Sequence, residues 1–397
     1  MGLINMKLWS KGYDVDKLIE EYTVGNDFEL DSYLIKFDVI ASKAHAKMLF
    51  KQSHIKEDEL NLLLKGLDEI MNLSENNKFT ISQEDEDCHT AIEKYLTENY
   101  GDVGKKIHLG RSRNDQVLVA LRLFYLDKIK QIQSKIDQVN KTINEFILKY
   151  PDVPIPGYTH MQFAMPSSIK MWSESFIFAL SDYKILLDSV EKVMNQNPLG
   201  SAAGFGVPLD IDKEYTAKEL NFKSIQSNPM YCQLSRGNFE GQFLSTMSGI
   251  MHILNKIASD VILFSMPHFG YISLPKELTT GSSIMPNKKN PDVLEILRAN
   301  YSVALGKEFE VKSIIGNLIS GYNRDIQLTK KPMFEAINIL ESSLEVVVLL
   351  FSKLVVNEMN CKKWMLPELY ATEEAYNLVK KGKSFRDAYE EIGRKFV

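Results

Sequence analysis

Ile129, Ile132, Ile136, Val139, Ile143 and Phe146 step by 3 and 4 in turn until Pro151 stops the run, which is the spacing of one apolar face of a helix. Extended over 117–150, this helix is about 50 Å long at 1.5 Å per residue, several times the usual length. The spacing recurs at Ile169, Trp172, Phe176, Ala179, Tyr183, Leu186, Val190 and Val193, and at Phe243, Met247, Ile250, Leu254, Ile257, Val261 and Phe264. It returns at Ile337, Leu340, Leu344, Val347, Phe351 and Leu354, with a shorter set at Leu294, Leu297 and Tyr301. Long helices with narrow apolar stripes predict an all-α bundle with nearly parallel or antiparallel axes. Residues 1–114 read as shorter helices, among them 31–50 and 57–73, and strand signals there are sparse. Past 357 the spacing changes and Pro367 breaks the chain, leaving short helices near 373–381 and 385–395. The expected domains are 1–114, a central bundle over 115–357, and a short helical segment over 358–397.

Composition narrows the classes of partner. Lys plus Arg number 47 against 52 Asp plus Glu, a net charge of -5, which argues against nucleic acid or an acidic membrane as the main partner. Cys88, Cys232 and Cys361 have neither metal nor disulfide spacing, as in a reducing compartment. The start MGLINMKLW has no secretory apolar core and no hydroxyl at position 6, so a cytoplasmic protein is expected.

Three polar segments interrupt the helices. In GSSIMPNKKNPDVLE, 281–295, hydroxyls and lysines precede a helix start at Asn290 and Pro291 that carries Glu295, an arrangement suited to a substrate rich in carboxylates. IHLGRSRNDQ, 107–116, offers Ser112, Arg113 and Asn114 before the first long helix. Arginine can grip a carboxylate bidentately, while Asn114 or Asp115 would cap the helix in any case. PIPGYTHMQFAMP, 154–166, sets Thr159 and His160 in a proline-bounded loop, and histidine is the side chain best suited to exchange protons near neutrality. In EDEDCHTAIE, 84–93, acids meet Cys88 and His89. They follow no recognised ligand spacing, so an acidic helix start with His89 near a pocket is preferred to a metal site.

Taken together, HLGRSRNDQ, GYTHMQ and GSSIMPNKKNPD, in this order and separated by long helices, resemble the argininosuccinate lyase branch of the fumarase and aspartase superfamily. The likeness runs from KLW at Lys7 to SFRDAYEEIG near the end. It implies a homotetramer, with the central bundle as oligomerisation core and active sites shared between subunits. It also implies elimination of fumarate from argininosuccinate to release arginine, in arginine biosynthesis, without cofactor or metal. By this resemblance Ser282 and His160 are the catalytic pair and Glu295 orients the histidine. Ser282 is favoured as base and His160 as acid, with the opposite assignment open. Asn114, Thr159, Asn290, Tyr322, Gln327 and Lys330 match substrate contacts. Lys288, with the backbone N–H groups of its loop, would stabilise developing negative charge. Ser112 and Arg113 are additional anion contacts, and His89 matches an active-site position only through DxHTAxE.

Three positions depart from the family pattern. Asp27 stands where the family usually has a substrate-binding serine, and an acid there would repel a carboxylate and seek an ammonium or guanidinium. Leu109 replaces a usual threonine. The chain ends at Val397 where relatives usually continue, which leaves open whether part of the third domain is missing. Two alternatives follow: a related succinyl-amine lyase whose leaving group Asp27 selects, and an inactive crystallin-like structural homologue.

Overall fold

The computed structural model describes residues 16–396, so the MGLINMKLW start and its KLW motif lie outside the described residues. The chain runs α1 (Lys17–Val24), α2 (Asp27–Leu30), α3 (Ile35–Lys51), α4 (Glu57–Glu75), α5 (Cys88–Tyr100), α6 (Asp102–Lys105) and the long α7 (Arg113–Lys149). The hairpin β1 (Pro154–Thr159) and β2 (Gln162–Ser168) leads into α8 (Ile169–Met194), β3 (Gln196–Asn197), α9 (Lys213–Glu219), β4 (Ser224–Ile225), α10 (Pro229–Ser235) and α11 (Asn238–Ser265). After β5 (Ile272–Ser273) come α12 (Asp292–Ile314), α13 (Lys330–Lys353), β6 (Val355–Val356), α14 (Glu358–Lys363), α15 (Ala371–Lys380) and α16 (Phe385–Gly393). The fold is all-α apart from these short strands, and each predicted stripe falls on one of α7, α8, α11, α12 and α13.

The chain forms two compact units. The first contains residues up to Gln131 with Asp188–Leu244 and Lys307–Glu335. Its core holds Leu49, Leu63, Leu67, Ile70 and Leu96, all at 0% exposure, where α3, α4 and α5 meet. Phe124 lies edge-on to both Phe37 and Phe334, at 5.6 and 5.0 Å between ring centres. The second contains Ile132–Leu187, Ser245–Gly306 and the residues from Ala336 on. Its core is made of the predicted stripes: Ile136, Val139, Ile143, Ile250, Leu254, Ile257, Leu340 and Leu344 are fully buried, and Phe146 and Trp172 both meet Phe351. The most apolar helical stretch, Pro229–Ser265, is long enough to cross a membrane by composition alone. One apolar face of it, Phe243, Met247, Ile250, Leu254, Ile257, Val261 and Phe264, is instead buried in protein.

Four details differ from the sequence reading. The 154–166 segment is a β-hairpin, with Thr159 opposite Gln162. The helix expected over 31–50 starts at Ile35, because Asp31–Tyr33 turn more tightly as a 3-10 helix. Ser112, not Asn114 or Asp115, begins α7: its hydroxyl accepts the Asn114 N–H at 3.3 Å, and Asp115 Oδ1 accepts the Ser112 N–H at 2.9 Å, a reciprocal cap. On α8 Ile169, Phe176 and Val190 are buried as expected, but Leu180 and Leu187 take the place of Ala179 and Leu186, which leaves Phe178, Ile185 and Leu186 exposed.

Candidate active site

In the first unit, a cavity of ≈ 440 Å³ is lined by eight of the residues picked from the sequence: Asp27, His89, Ser112, Arg113, Asn114, Tyr322, Gln327 and Lys330. The turn that delivers the arginines depends on Gly110. Its φ is +72°, and an added Cβ would come within 2.8 Å of Ile211 Cδ1, so only glycine fits. Asp115 then anchors the start of α7, since its Oδ2 accepts the N–H groups of Gly200 at 3.1 Å and Ala202 at 3.0 Å.

The wall is built from ion pairs between residues distant in sequence. Lys330, 2% exposed, donates to Asp27 at 2.7 Å and to the fully buried Asp31 at 2.6 Å. Burial opposes its charge, but Asp31 and then Asp27 outweigh that and hold the ammonium above its ordinary pKa range. Asp31 is shifted down, because Lys330 and His89 overcome the burial that would raise it. Asp27 is shifted up, by burial that its share of Lys330 does not offset. The acid at position 27 therefore has the ammonium partner the sequence called for, and it comes from the protein itself. The ammonium lies within hydrogen-bond distance of three carboxylate oxygens, both of Asp27 and Oδ1 of Asp31.

His89 Nδ1 meets Asp38 Oδ2 at 2.6 Å, with both groups buried. Burial would discharge the imidazole, but Asp38 more than offsets it and the pKa rises; Asp38 falls correspondingly against its own burial. His89 Nε2 is buried without a partner among the described residues. Burial, then the Arg111 charge, pushes nearby His108 down to about 4, so the two histidines on this wall are shifted in opposite directions. Asp31, Cys88 and His89 have potential ligand atoms within 4.8 Å of one another. Those atoms are already engaged: Asp31 holds Lys330 and the Cys88 N–H, and His89 Nδ1 is on Asp38.

Arg113, expected to contact an anion, is gripped by Asp87 at 2.6 Å through Nε and by Glu86 at 3.1 Å. Gln327 donates to the Thr23 and Val24 carbonyls, which leaves its oxygen available. The Asn114 side-chain amide has no partner among the described residues and faces the cavity. Sequence reasoning missed Asp31, Asp38, His108 and Arg236 on or behind this wall. The one local signal for Asp38 is a lone acid inside an apolar helix segment, IKFDVIA, whereas Asp31, in the acidic stretch DFELD, has none.

Thr159, His160, Ser282, Lys288, Asn290 and Glu295 belong to the second unit. His160 and Met161 form the two-residue tip of the β1–β2 hairpin with φ of 53° and 60°. That is the turn type ordinarily given to Asn-Gly, and each left-handed non-glycine residue costs about 1–2 kcal/mol. The hairpin is held from below by Tyr158, whose hydroxyl meets that of Tyr271 at 2.5 Å and whose ring stacks on Phe163.

Ser282 lies on a loop closed by paired backbone bonds between Thr280 and Asn290, at 3.0 and 2.8 Å. Asn290 also donates to the Gly281 carbonyl at 3.2 Å. Ser282 Oγ accepts two backbone N–H groups, from Met285 at 3.1 Å and Ile284 at 3.3 Å, which favours an ionised oxygen. Lys288 is exposed on the same loop, and Glu295 is exposed in the first turn of α12. No hydrogen bond joins His160 to Glu295 or to Ser282 within one chain, among the described residues.

A family profile described as Lyase matches residues 11–306. Argininosuccinate lyase of Thermotoga neapolitana is 44% identical over 390 residues, 98% of each chain. That of Phocaeicola vulgatus is 40% identical over 387 residues, covering 98% of this chain and 87% of the relative. Among solved structures, an EDDS lyase in complex with formate superposes with a TM-score of 0.80 at 21% identity, over 96% of this chain and 76% of that one. A class II fumarase from Schistosoma mansoni gives 0.79 at 17%, over 94% and 91%. The all-helical architecture and these structural likenesses define the fold of the fumarase and aspartase superfamily, and the chain is a lyase. Within it, the sequence matches place the chain in the argininosuccinate lyase family.

Proposed function

We propose that the protein cleaves L-argininosuccinate to fumarate and L-arginine, reversibly, as a step of arginine biosynthesis in the cytoplasm. In the elimination, the proton on the carbon next to a succinyl carboxylate leaves, and its electron pair forms the fumarate double bond. The bond from the adjacent carbon to the guanidino nitrogen breaks, and that nitrogen takes up a proton. Ser282 is the base, His160 the acid, and Glu295 orients His160. Lys288, Asn290 and the loop N–H groups stabilise the charge that builds on the succinyl carboxylate. Thr159, Ser112, Arg113, Asn114, Tyr322, Gln327 and Lys330 bind the remainder, with His89 behind them. The chemistry requires a base, an acid and cations, and calls for no cofactor.

The observation that carries this reading is the pair of backbone N–H bonds to Ser282 Oγ in a loop that also bears a lysine. That His160, Ser282 and Glu295 are not bonded to one another within a chain supports sites shared between subunits of a homotetramer. So do the apolar side chains that long helices leave uncovered in the single chain, such as Phe178 on α8 and Phe309 on α12, 68% and 76% exposed. The three-part division into 1–114, 115–357 and 358–397, with the middle part as oligomerisation core, belongs to the same proposal. The alternative succinyl-amine lyase depended on Asp27 being free to choose a leaving group, and Asp27 is committed to Lys330.

The test is ultraviolet absorbance of fumarate with purified protein and argininosuccinate, for wild type and Ser282→Ala. General-base loss should lower kcat by about 10²–10⁴. Undiminished turnover by the folded variant would remove Ser282 from the mechanism. Wild-type silence on argininosuccinate, with turnover of another succinyl-amine such as adenylosuccinate, would overturn the substrate.

A further inference from the structure

Arg236 occupies the corner between α10 and α11, on the wall of the same cavity. The corner is rigid. The Arg236 N–H donates to the Gln233 carbonyl at 3.1 Å. Next to it, Gly237 has φ +80° and would put a Cβ 2.4 Å from Ile315 Cγ2. The side chain is 4% exposed, with Nε and Nη1 buried and unpartnered among the described residues.

The other buried guanidiniums on or near this wall are satisfied. Arg111 donates to the Ile107 carbonyl and Ser42, and Arg122 to the Gln196 carbonyl, Gln226 and Ser235. The nearest acid on the α11 side, Glu240, instead accepts the Gly237 N–H at 2.6 Å. Asp27 and Glu240 both feel the Arg236 charge, but its buried Nε and Nη1 have no acceptor among the described residues, and buried N–H groups left without one are costly unless a ligand completes them. A guanidinium fork over the face of Tyr322, at 6.0 Å, is shaped for a carboxylate.

The rest of the wall says which carboxylate. Asp27 and Asp31 share the single ammonium of Lys330, so the trio is net negative when both acids are ionised. The whole lining has five cations, Arg111, Arg113, Arg236, Arg324 and Lys330, against the acids Asp27, Asp31 and Asp87, so total charge does not choose between the ends, but only an α-amino-acid end brings an ammonium for the Asp27–Asp31 pair together with a carboxylate for Arg236. We infer that Arg236 binds the α-carboxylate of the arginine half of the substrate and is a determinant of specificity for it. The inference rests on the lyase reading above.

The test uses full-length enzyme and three inhibitors: arginine, agmatine (arginine without its carboxylate) and fumarate. Wild-type turnover of argininosuccinate is the control, and its absence would count against the proposed function, separately from Arg236. For Arg236→Gln, KM for argininosuccinate and the inhibition constant of arginine should both rise about 10- to 100-fold, the worth of a charge-assisted hydrogen bond. Inhibition by agmatine and by fumarate should be unchanged, and kcat should fall far less than KM rises. Arg236→Lys should recover part of the arginine affinity. Equal weakening of arginine and agmatine would show a purely structural residue, and weakening of fumarate would put the contact on the succinyl half; either overturns the inference. Should Arg236→Gln fail to fold, the wild type still decides, because arginine inhibiting no better than agmatine would refute an α-carboxylate anchor.

Discussion

Replacing Lys330 by Met takes the ammonium from buried Asp31 and leaves it only the Cys88 N–H and the charge of His89. At about 2.6 Å and an effective dielectric near 20, each Lys330–carboxylate attraction is about 6 kcal/mol, most of which offsets the several kcal/mol each ion loses on leaving water. Breaking such a pair by removing one partner costs about 3–5 kcal/mol. Over 397 residues, at about 2.1 cal/mol/K per residue, that is a fall in Tm of roughly 4–6 °C. Asp27→Asn should cost much less, because Asp31 keeps Lys330 and Asp27 is the acid that burial already pushes towards its neutral form. The double variant Asp31→Asn with Lys330→Met removes both charges and should recover about 2 kcal/mol or more relative to additivity. The assay is urea unfolding followed by circular dichroism at one fixed protomer concentration, since association shifts apparent stability. A Lys330→Met loss below about 1 kcal/mol, or equal losses for Lys330→Met and Asp27→Asn, would refute the buried-pair account.

Other consequences can be checked alongside it. The raised His89 pKa contributes stability that is complete below the unfolded value near 6.5 and is lost as pH rises through the folded value. The lowered Asp38 pKa contributes stability present above 3.8 that is lost as pH falls through its folded value. The urea midpoint should therefore decline on the alkaline side of neutrality, and His89→Gln should flatten that decline; an unchanged slope would remove the His89–Asp38 pair as its source. Gly249 sits where an added Cβ would be 2.3 Å from the Tyr183 ring, so Gly249→Ala should cost about 1–3 kcal/mol and be relieved by Tyr183→Leu in the same unfolding assay. At the hairpin tip, Met161→Gly should raise Tm, because a φ of 60° is free for glycine; a lower Tm would mean that the Met161 side chain stabilises the turn.

The architecture was legible because its cause is local. A stripe such as Ile129 to Phe146 stays buried only if the backbone turns every 3.6 residues, so the spacing alone gave α7 to within a few residues at each end. The hairpin escaped because β1 contains Pro154, Pro156 and Gly157 and its tip carries no glycine or asparagine, so every local preference argued for a loop. Only pairing with β2 makes it a strand. The site divides in the same way. The Ser282 loop is contiguous and could be read directly, as could the start of α7 near 112–115 although not its capping residue, whereas the electrostatics of the cavity could not. Lys330 meets Asp31 across 299 positions, and His89 meets Asp38 across 51. A sequence shows that these charges exist but not which of them cancel. Asp27 illustrates the consequence: judged alone it repels a carboxylate, but with Lys330 placed against it, it becomes half of an internal pair. Arg236, whose Nε and Nη1 remain without an acceptor among the described residues after these pairs form, then becomes the group with a ligand to find.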